Sequence, residues 1–238
     1  MQVGLVSIAL FSLLQSANAA PALTVRQAAN TRNDLSKGDA CKPYTLIFAR
    51  GTSEPAGNLG SVGTPFAAAL EGLYKDDLAV QGVNYGATPQ GALAGGDASG
   101  STAMYNLVIK ACPSTKIIIG GYSQGAQLVH NAIAKMTQAQ ANKIKAIVTF
   151  GDPKRTEAYG KGLAAKATTY CHAGDTICTT PMPNMNSCGA RDYACMIRVG
   201  QQIAALQKMM SGGNPPPSHT TYPSNVNAAS AFVRRVVG

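Results

Sequence analysis

The stretch from Lys116 to Gly125 reads KIIIGGYSQG, and the architecture of the chain can be inferred outward from it. Three consecutive isoleucines form a continuous apolar run, which is typical of a parallel strand covered on both faces. A helical stretch begins at Gln124, directly after the run. Ser123 therefore lies in a G-x-S-x-G pattern at a predicted strand–turn–helix junction, which is the arrangement that a nucleophile elbow requires.

Short apolar runs and helical stretches alternate on both sides of this segment. Strands are predicted at 44–49, 79–85, 144–150 and 167–172, and helices at about 64–75, 101–111, 124–137 and 228–237. Because strands alternating with helices imply βαβ crossovers, the sequence predicts an α/β fold. The expected architecture is a three-layer α/β/α sandwich with a mostly parallel central sheet.

Composition and charge exclude several classes of protein. The 238 residues are 45% hydrophobic and 13% charged, which argues against a disordered chain. The formal net charge is +9, but the basic residues are scattered and form no stripe with interleaved aromatic residues. Nucleic acid is therefore not an expected partner.

The amino terminus has the pattern of a secretory signal. Residues 4–14 are an apolar run too short to span a bilayer, and Ala17-Asn18-Ala19 follows as an A-x-A cleavage site. The predicted organisation is a signal peptide at 1–19, a leader or pro-segment at 20–40, and a single domain at 41–238. The mature protein is expected to be extracellular, without a membrane span.

The cysteines agree with export. An even number of cysteines in an exported chain indicates disulfides, although many pairings are formally open. Close spacing favours Cys171–Cys178 and Cys188–Cys195, which leaves Cys41 with Cys112. A zinc site is not expected, because the sequence has no C-x-x-C and its three histidines are isolated.

Ser123 is the candidate nucleophile. Gly121 and Gly125 lack Cβ atoms, which allows the strand and the helix to approach closely around the serine. The amino terminus of the helix would offer free N–H groups to a developing oxyanion. The alternative interpretation is a glycine-rich turn in which Ser123 only caps the helix.

Three histidines are candidate bases. His130 lies on the helix that follows Ser123, about 10 Å further along its axis, and is interpreted as a surface or satisfied helix residue. In hydrolases of this class the order along the chain is serine, acid, histidine, which favours His219. His172 would require an upstream acid such as Asp152.

Four acids lie between Ser123 and His219. Asp175 is favoured because the segment CHAGDTIC would hold its carboxylate in a short disulfide loop, and an acid that orients an imidazole must be rigid. Asp152 is the rival, interpreted as an Asx-turn residue. Glu157 and Asp192 are interpreted as solvated surface charges.

Together these residues resemble the cutinases, a family of small secreted serine esterases. The resemblance spans about residues 41–238 in the order of the family. The matching pieces are ARGTSE at 49–54, NLG at 58–60, Cys112-Pro113, GGYSQG at 120–125, FGDP at 150–153, the segment 171–178, and His219.

The resemblance implies an α/β-hydrolase core without a large cap domain. It implies Ser123, Asp175 and His219 as the catalytic triad. It also implies an oxyanion hole formed by the backbone N–H groups of Gln124 and Thr52, with the Thr52 hydroxyl as a third donor. The pairing of cutinases would join Cys41 to Cys112 and Cys171 to Cys178, and no metal or organic cofactor is required.

The expected function is hydrolysis of carboxylic esters, either cutin-like polyesters or short-chain esters, through an acyl-enzyme. Alternatives are an acetylxylan esterase, a lipase-like esterase or, from another class, a catalytically inactive surface-binding or elicitor protein. We expect a monomer whose partner is an ester, soluble or presented by a polyester or acetylated polysaccharide surface.

The interval between Asp175 and His219 is longer than in typical cutinases. It contains the additional Cys188 and Cys195 and a predicted amphipathic helix at 193–210, whose apolar residues recur at steps of three and four. One interpretation packs this stripe on the body of the domain. The other is that Leu206 and Met210 wall or cover the ester-binding cleft, as an insert between two catalytic loops could do.

Overall fold

A computed structural model describes residues 29–38, 41–55, 57–179, 188–189, 191–197, 200–201, 204, 207 and 215–238. Its centre is a five-stranded sheet in the order β2-β1-β3-β4-β5, with every neighbouring pair parallel. The strands are β1 (Tyr44–Ala49), β2 (Leu78–Gly82), β3 (Lys116–Tyr122), β4 (Ile144–Phe150) and β5 (Ala167–Tyr170). The prediction of an α/β fold with a parallel sheet is confirmed.

Helices cover both faces of the sheet. They are α1 (Gly60–Tyr74), α2 (Pro89–Leu93), α3 (Ala98–Lys110), α4 (Gln124–Lys135), α5 (Gln138–Ala141), α6 (Thr176–Thr179) and α7 (Val226–Val237). Apolar residues of α3 and α4 form a core against one face, and those of α1 and α7 form a core against the other. The chain is therefore a three-layer sandwich.

The isoleucine run of β3 serves both cores. Ile117 and Ile119 lie in the core beneath α3 and α4, whereas Ile118 lies in the core beneath α1 and α7. All three side chains are fully buried. Successive side chains of a strand point to opposite faces, so a strand between two helix layers must be apolar at every position.

The start of α1 differs from the prediction. The sequence predicted this helix from about residue 64, but α1 begins at Gly60 and contains Pro65. The carboxylate of Glu54 accepts hydrogen bonds from the backbone N–H (2.7 Å) and hydroxyl (2.5 Å) of Ser61, and so caps the first turn. The capping residue lies in the preceding loop, and no sequence pattern within the helix predicts this contact.

The sequence predicts neither a strand nor a helix between residues 85 and 101, but the structure has the short helix α2 there. Thr88 caps α2 by accepting a hydrogen bond from the backbone N–H of Gly91 at 3.2 Å. Asp97 caps α3 in the same way through Gly100 at 2.7 Å, so α3 begins at Ala98 rather than at residue 101. Both caps are residue types that favour this position.

Three disulfides join cysteines in the pairs expected. Cys41–Cys112 links the approach to β1 with the turn before β3, while Cys171–Cys178 and Cys188–Cys195 close short loops. Disulfides of this kind persist in oxidising compartments, so they fit an extracellular protein. No helix in the described residues is long and apolar enough to cross a bilayer.

Residues 29–38 pack against the domain. Asn33 forms an antiparallel bridge with Gln81, Leu35 is buried, and Arg32 makes ion pairs with Asp34 at 2.8 Å and with Glu71. The predicted signal peptide lies outside the described residues. Its boundary, the leader at 20–40 and the single domain at 41–238 stay predictions.

Two glycine substitutions test the packing of α4 on the sheet. A Cβ at Gly125 would lie 2.0 Å from the carbonyl oxygen of Ala49, whereas a Cβ at Gly72 in α1 would meet no atom within 4 Å. We expect Gly125→Ala to lower the free energy of unfolding by about 2 kcal/mol or more. Gly72→Ala should raise it by about 0.5–1 kcal/mol. Urea denaturation measures both, and a wild-type midpoint for Gly125→Ala would contradict the close approach.

Candidate active site

The carboxyl ends of the parallel strands meet at one edge of the sheet, where ligands of open α/β sheets bind. Thr52 follows β1, Ser123 follows β3, and Asp152 follows β4. The segment that carries Asp175 follows β5. The predicted site residues on these four connections therefore lie along the same edge.

Ser123 occupies a strained turn between β3 and α4. Its backbone has φ 55° and ψ −119°, a conformation that non-glycine residues rarely adopt and that costs about 1–3 kcal/mol. Its N–H donates to the carbonyl of Phe150 at 2.9 Å. A Cβ at Gly121 would lie 2.3 Å from the backbone of Gly125, so the turn needs glycine on both sides of the serine. This geometry is that of a nucleophile elbow.

His219 and Asp175 form a buried pair. The Nδ1 atom of His219 lies 2.7 Å from Oδ2 of Asp175, and the two residues are 2% and 0% exposed. A nitrogen that faces a carboxylate carries the ring proton, which leaves Nε2 as the basic nitrogen. The Nε2 atom is buried and forms no hydrogen bond with Ser123 or any other residue in the described part of the chain.

The ends of β3 and β4 support the imidazole of His219. The hydroxyl of Tyr122 donates to the His219 carbonyl at 2.7 Å, and the two ring centroids are 5.0 Å apart. A Cβ at Gly151 would lie 2.6 Å from Cε1 of His219. Tyr122 immediately precedes Ser123, so these contacts hold the histidine beside the elbow.

The carboxylate of Asp175 accepts three hydrogen bonds. Oδ1 accepts from the backbone N–H of Ile177 at 3.0 Å, and Oδ2 accepts from His219 and from the hydroxyl of Tyr222 at 2.5 Å. Burial alone would raise the pKa of Asp175. The hydrogen bonds from His219 and Tyr222 outweigh burial and hold that pKa below its ordinary value. Asp175 is therefore ionised at neutral pH.

Asp152, the rival acid, belongs to a second buried pair. Its Oδ2 lies 3.0 Å from Nε2 of His130 and accepts from the hydroxyl of Thr149 at 3.0 Å. Its Oδ1 accepts from the backbone N–H of Lys154 at 2.8 Å, as an Asx turn does. His130 also stacks on Tyr159 with ring centroids 4.1 Å apart. The structure thus pairs Asp152 with His130 and not with His219 or His172.

The remaining candidates, Glu157, Asp192 and His172, belong to neither His–Asp pair. Glu157 and Asp192 are exposed, as expected for surface charges. The ring of His172 contacts Thr221 and Asn225 beyond the His219 turn. His172 therefore lies near the site but forms no hydrogen bond with Ser123.

Thr52 and Gln124 are in direct contact. The side-chain Nε2 of Gln124 donates to Oγ1 of Thr52 at 2.9 Å and to the carbonyl of Thr88 at 2.8 Å. Gln124 is the first residue of α4, so its backbone N–H has no acceptor within the helix. The turn that carries Thr52 is braced by Glu54, whose Oε2 accepts from the Gly51 N–H at 2.6 Å.

Sequence reasoning assigned no role to Glu54 or Tyr222. Glu54 lies inside the ARGTSE segment, and its neighbours Gly51 and Ser61 carry no pattern that points back to it. Tyr222 lies three positions after His219. This spacing, which places an aromatic residue near a candidate base, was the sequence feature that could have drawn attention to Tyr222.

The predicted cleft residues Leu206 and Met210 lie outside the described residues. Within the predicted helix at 193–210, residues 193–197 are helical. Tyr193 and Ile197 are 71% and 61% exposed, which are high values for large apolar side chains. The proposal that this segment covers the cleft stays a prediction.

A parallel α/β sandwich, a serine in a strained elbow and a buried His–Asp pair at the same edge together define an α/β-hydrolase. A family model described as Cutinase matches residues 40–190. A cutinase of Monilinia fructicola is 39% identical, and the match covers 84% of this chain and 85% of that protein. The chain therefore belongs to the cutinase family and is a carboxylic ester hydrolase.

Solved structures agree with this membership. The structure of Trichoderma reesei cutinase in complex with a C11Y4 phosphonate inhibitor has a TM-score of 0.67 and 32% identity. It covers 89% of this chain and 81% of its own. An acetyl xylan esterase has a TM-score of 0.54 at 19% identity, covering 82% of this chain and 99% of its own, and so shares the fold.

The two buried acids can be separated by matched substitutions. We expect Asp175→Asn to lower kcat by about 10⁴, because an amide cannot orient and stabilise the imidazolium as a carboxylate does. Asp152→Asn should leave kcat within a few-fold of wild type and lower the unfolding temperature. Steady-state kinetics with p-nitrophenyl butyrate and thermal unfolding measure the two effects. If Asp152→Asn lost kcat and Asp175→Asn kept it, Asp152 would be the acid that orients the histidine.

Proposed function

We propose that Ser123, His219 and Asp175 form a catalytic triad that hydrolyses carboxylic esters through an acyl-enzyme. The observation that carries the proposal is the buried His219–Asp175 pair, whose free Nε2 lies at the same sheet edge as the strained Ser123 turn. Nucleophile, base and orienting acid are the three roles that such a mechanism requires.

In the first step the Ser123 Oγ attacks the ester carbonyl carbon while its proton passes to Nε2 of His219. The C=O π bond opens and its electron pair moves to the carbonyl oxygen. Asp175 stabilises the imidazolium that forms, and the hydrogen bond at Nδ1 keeps the ring in the required tautomer. The product of this step is a tetrahedral oxyanion bound to the serine.

The oxyanion would be bound by the backbone N–H of Gln124 and by Thr52. The Thr52 Oγ1 accepts a hydrogen bond from the Gln124 side chain, so the hydroxyl proton of Thr52 remains available to donate. The amino terminus of α4 adds a favourable dipole at the same point. Donors fixed before the reaction are the main source of stabilisation in sites of this kind.

The remaining steps return the enzyme to its starting state. The C–O bond to the alcohol breaks, and the alcohol leaves with the proton from Nε2 of His219. A water molecule then gives its proton to the same nitrogen and attacks the acyl carbon. The acid is released when the proton returns to Ser123.

The proposed substrates are cutin-like polyesters and short-chain soluble esters. The support is that relatives covering most of the chain are named cutinases. We further propose that the chain is secreted after removal of residues 1–19. The three disulfides support secretion, because such bonds persist in oxidising compartments. We also propose that the protein acts as a monomer.

The nucleophile is tested by Ser123→Ala. We expect kcat to fall by several orders of magnitude on p-nitrophenyl esters and on cutin, without loss of thermal stability. Ser101→Ala is the matched control, since Ser101 is also buried but its hydroxyl donates to the carbonyl of Asp97, which caps α3. Activity above a few per cent in Ser123→Ala would reject the triad. Acetylxylan assayed beside cutin distinguishes the two kinds of polymer substrate.

The oxyanion role of Thr52 is tested by two substitutions of similar size. Thr52→Val removes the hydroxyl and should lower kcat by about 10²- to 10³-fold with little change in KM. Thr52→Ser keeps a hydroxyl and should remain within a few-fold of wild type. If both variants were equally active, the hydroxyl would have no part in transition-state binding.

A further inference from the structure

Tyr222 is a fully buried residue that the proposed mechanism does not use. It begins the 3₁₀ turn Tyr222–Asn225, between His219 and α7. Its ring stacks on His172 with centroids 4.3 Å apart and meets Phe150 edge-on at 6.4 Å. The phenol oxygen of a buried tyrosine needs hydrogen-bond partners, and here the partners show which atom accepts the hydroxyl proton.

The hydroxyl of Tyr222 has one proton to donate, and its neighbours determine where that proton goes. The backbone N–H of His172 donates to the phenol oxygen at 3.1 Å. The Cys178 sulfur lies 3.3 Å away; it belongs to a disulfide, so it has no proton to donate and is only a weak acceptor beside a carboxylate. The remaining partner is Oδ2 of Asp175 at 2.5 Å, which as a carboxylate oxygen can only accept.

Oδ2 of Asp175 therefore accepts two hydrogen bonds from fixed directions, one from Nδ1 of His219 and one from the hydroxyl of Tyr222. We propose that Tyr222 is a positioning residue of the triad. It holds the Asp175 carboxylate in line with His219 and withdraws part of its negative charge from the imidazole. This inference rests on the proposed function, because it assigns a partner to the acid of that triad.

His172 explains how Tyr222 is itself held. Nδ1 of His172 lies 2.8 Å from the hydroxyl oxygen of Thr221. Nε2 of His172 lies 2.6 Å from Oδ1 of Asn225. One histidine thus joins the loop that carries Asp175 to the turn that carries His219.

Loss of the phenol has a predictable electrostatic consequence. Burial and the bond to Asp175 raise the pKa of Tyr222, so the group remains a donor across the range of assay pH. Without it the whole charge of the carboxylate acts on His219, and the imidazolium becomes more favourable. His219 must be neutral to accept the serine proton, so the acid limb of kcat/KM moves to higher pH. In the described part of the chain, the other titratable groups packed around the pair are His172 and Tyr122, and Arg155 donates to the Cys178 carbonyl on the loop that carries Asp175.

The test is Tyr222→Phe, which keeps the ring and removes the hydroxyl. We expect kcat to fall by about 10- to 100-fold, the size expected for a hydrogen bond to a charged group, with KM within about two-fold. The midpoint of the acid limb should rise by about half a pH unit or more. In an Asp175→Asn background the same substitution should add little further loss, because the two residues act as a unit.

Tyr159→Phe is the matched control. Its hydroxyl lies 3.4 Å from Oδ2 of Asp152, so it is the counterpart of Tyr222 at the second buried His–Asp pair. This variant should keep the wild-type kcat and pH midpoint. A similar kinetic loss in both variants would mean that a lost buried hydroxyl acts only through the stability of the fold.

Two results would overturn the inference. The first is a Tyr222→Phe variant with wild-type kcat and pH midpoint and only a lower unfolding temperature. The second, which applies even if that variant is insoluble, is rapid solvent exchange of the Tyr222 hydroxyl proton in proton NMR of the wild type. A protected proton close to the His219 Nδ1–H would support the inference. Activity in Ser123→Ala would reject the triad itself, whereas an inactive Ser123→Ala beside a wild-type-like Tyr222→Phe rejects only the role of Tyr222.

Discussion

The contact of α4 with the ends of β1 and β3 is the constraint around which the site is arranged. Gly125 lies against the carbonyl of Ala49, and Gly121 lies against the backbone of Gly125. A chain that turns this sharply can do so only through the positive φ of Ser123. The same approach brings the start of α4 to the loop after β1, so the strain at the serine and the contact between Gln124 and Thr52 have one cause.

The two buried His–Asp pairs differ in the feature that the proposed triad requires. Both have short contacts between a ring nitrogen and a carboxylate, at 2.7 Å and 3.0 Å. His130 uses Nε2 to bind Asp152, and its ring is stacked on Tyr159. His219 binds Asp175 through Nδ1 and keeps Nε2 free at the strand edge. The distinction lies in which nitrogen remains available, and burial or distance alone would not reveal it.

Structural features could be predicted from the sequence where the interactions that form them lie within one short segment. The β3 run, the elbow at Ser123 and the short loop around Asp175 are each contained in one segment, so spacing and residue type predict them. The cap that Glu54 provides for α1 and the bond from Tyr222 to Asp175 join separate segments. The pairing of His130 with Asp152 likewise depends on the end of β4 lying beside α4. Such contacts follow from the packed fold, and the spacing of Tyr222 three residues after His219 does not by itself predict its bond to Asp175.

The link that His172 makes across the two ends of the interval 176–218 has an evolutionary consequence. The proposed acid and base are tied to each other by contacts between residues 172–178 and residues 218–225. The entropy of closing a loop rises only slowly with its length, by about 0.6 kcal/mol for each doubling. Residues between these anchors are therefore free to be inserted, deleted or diversified while the reacting groups keep their register. The interval offers a region in which substrate preference can change between lineages without rebuilding the chemistry.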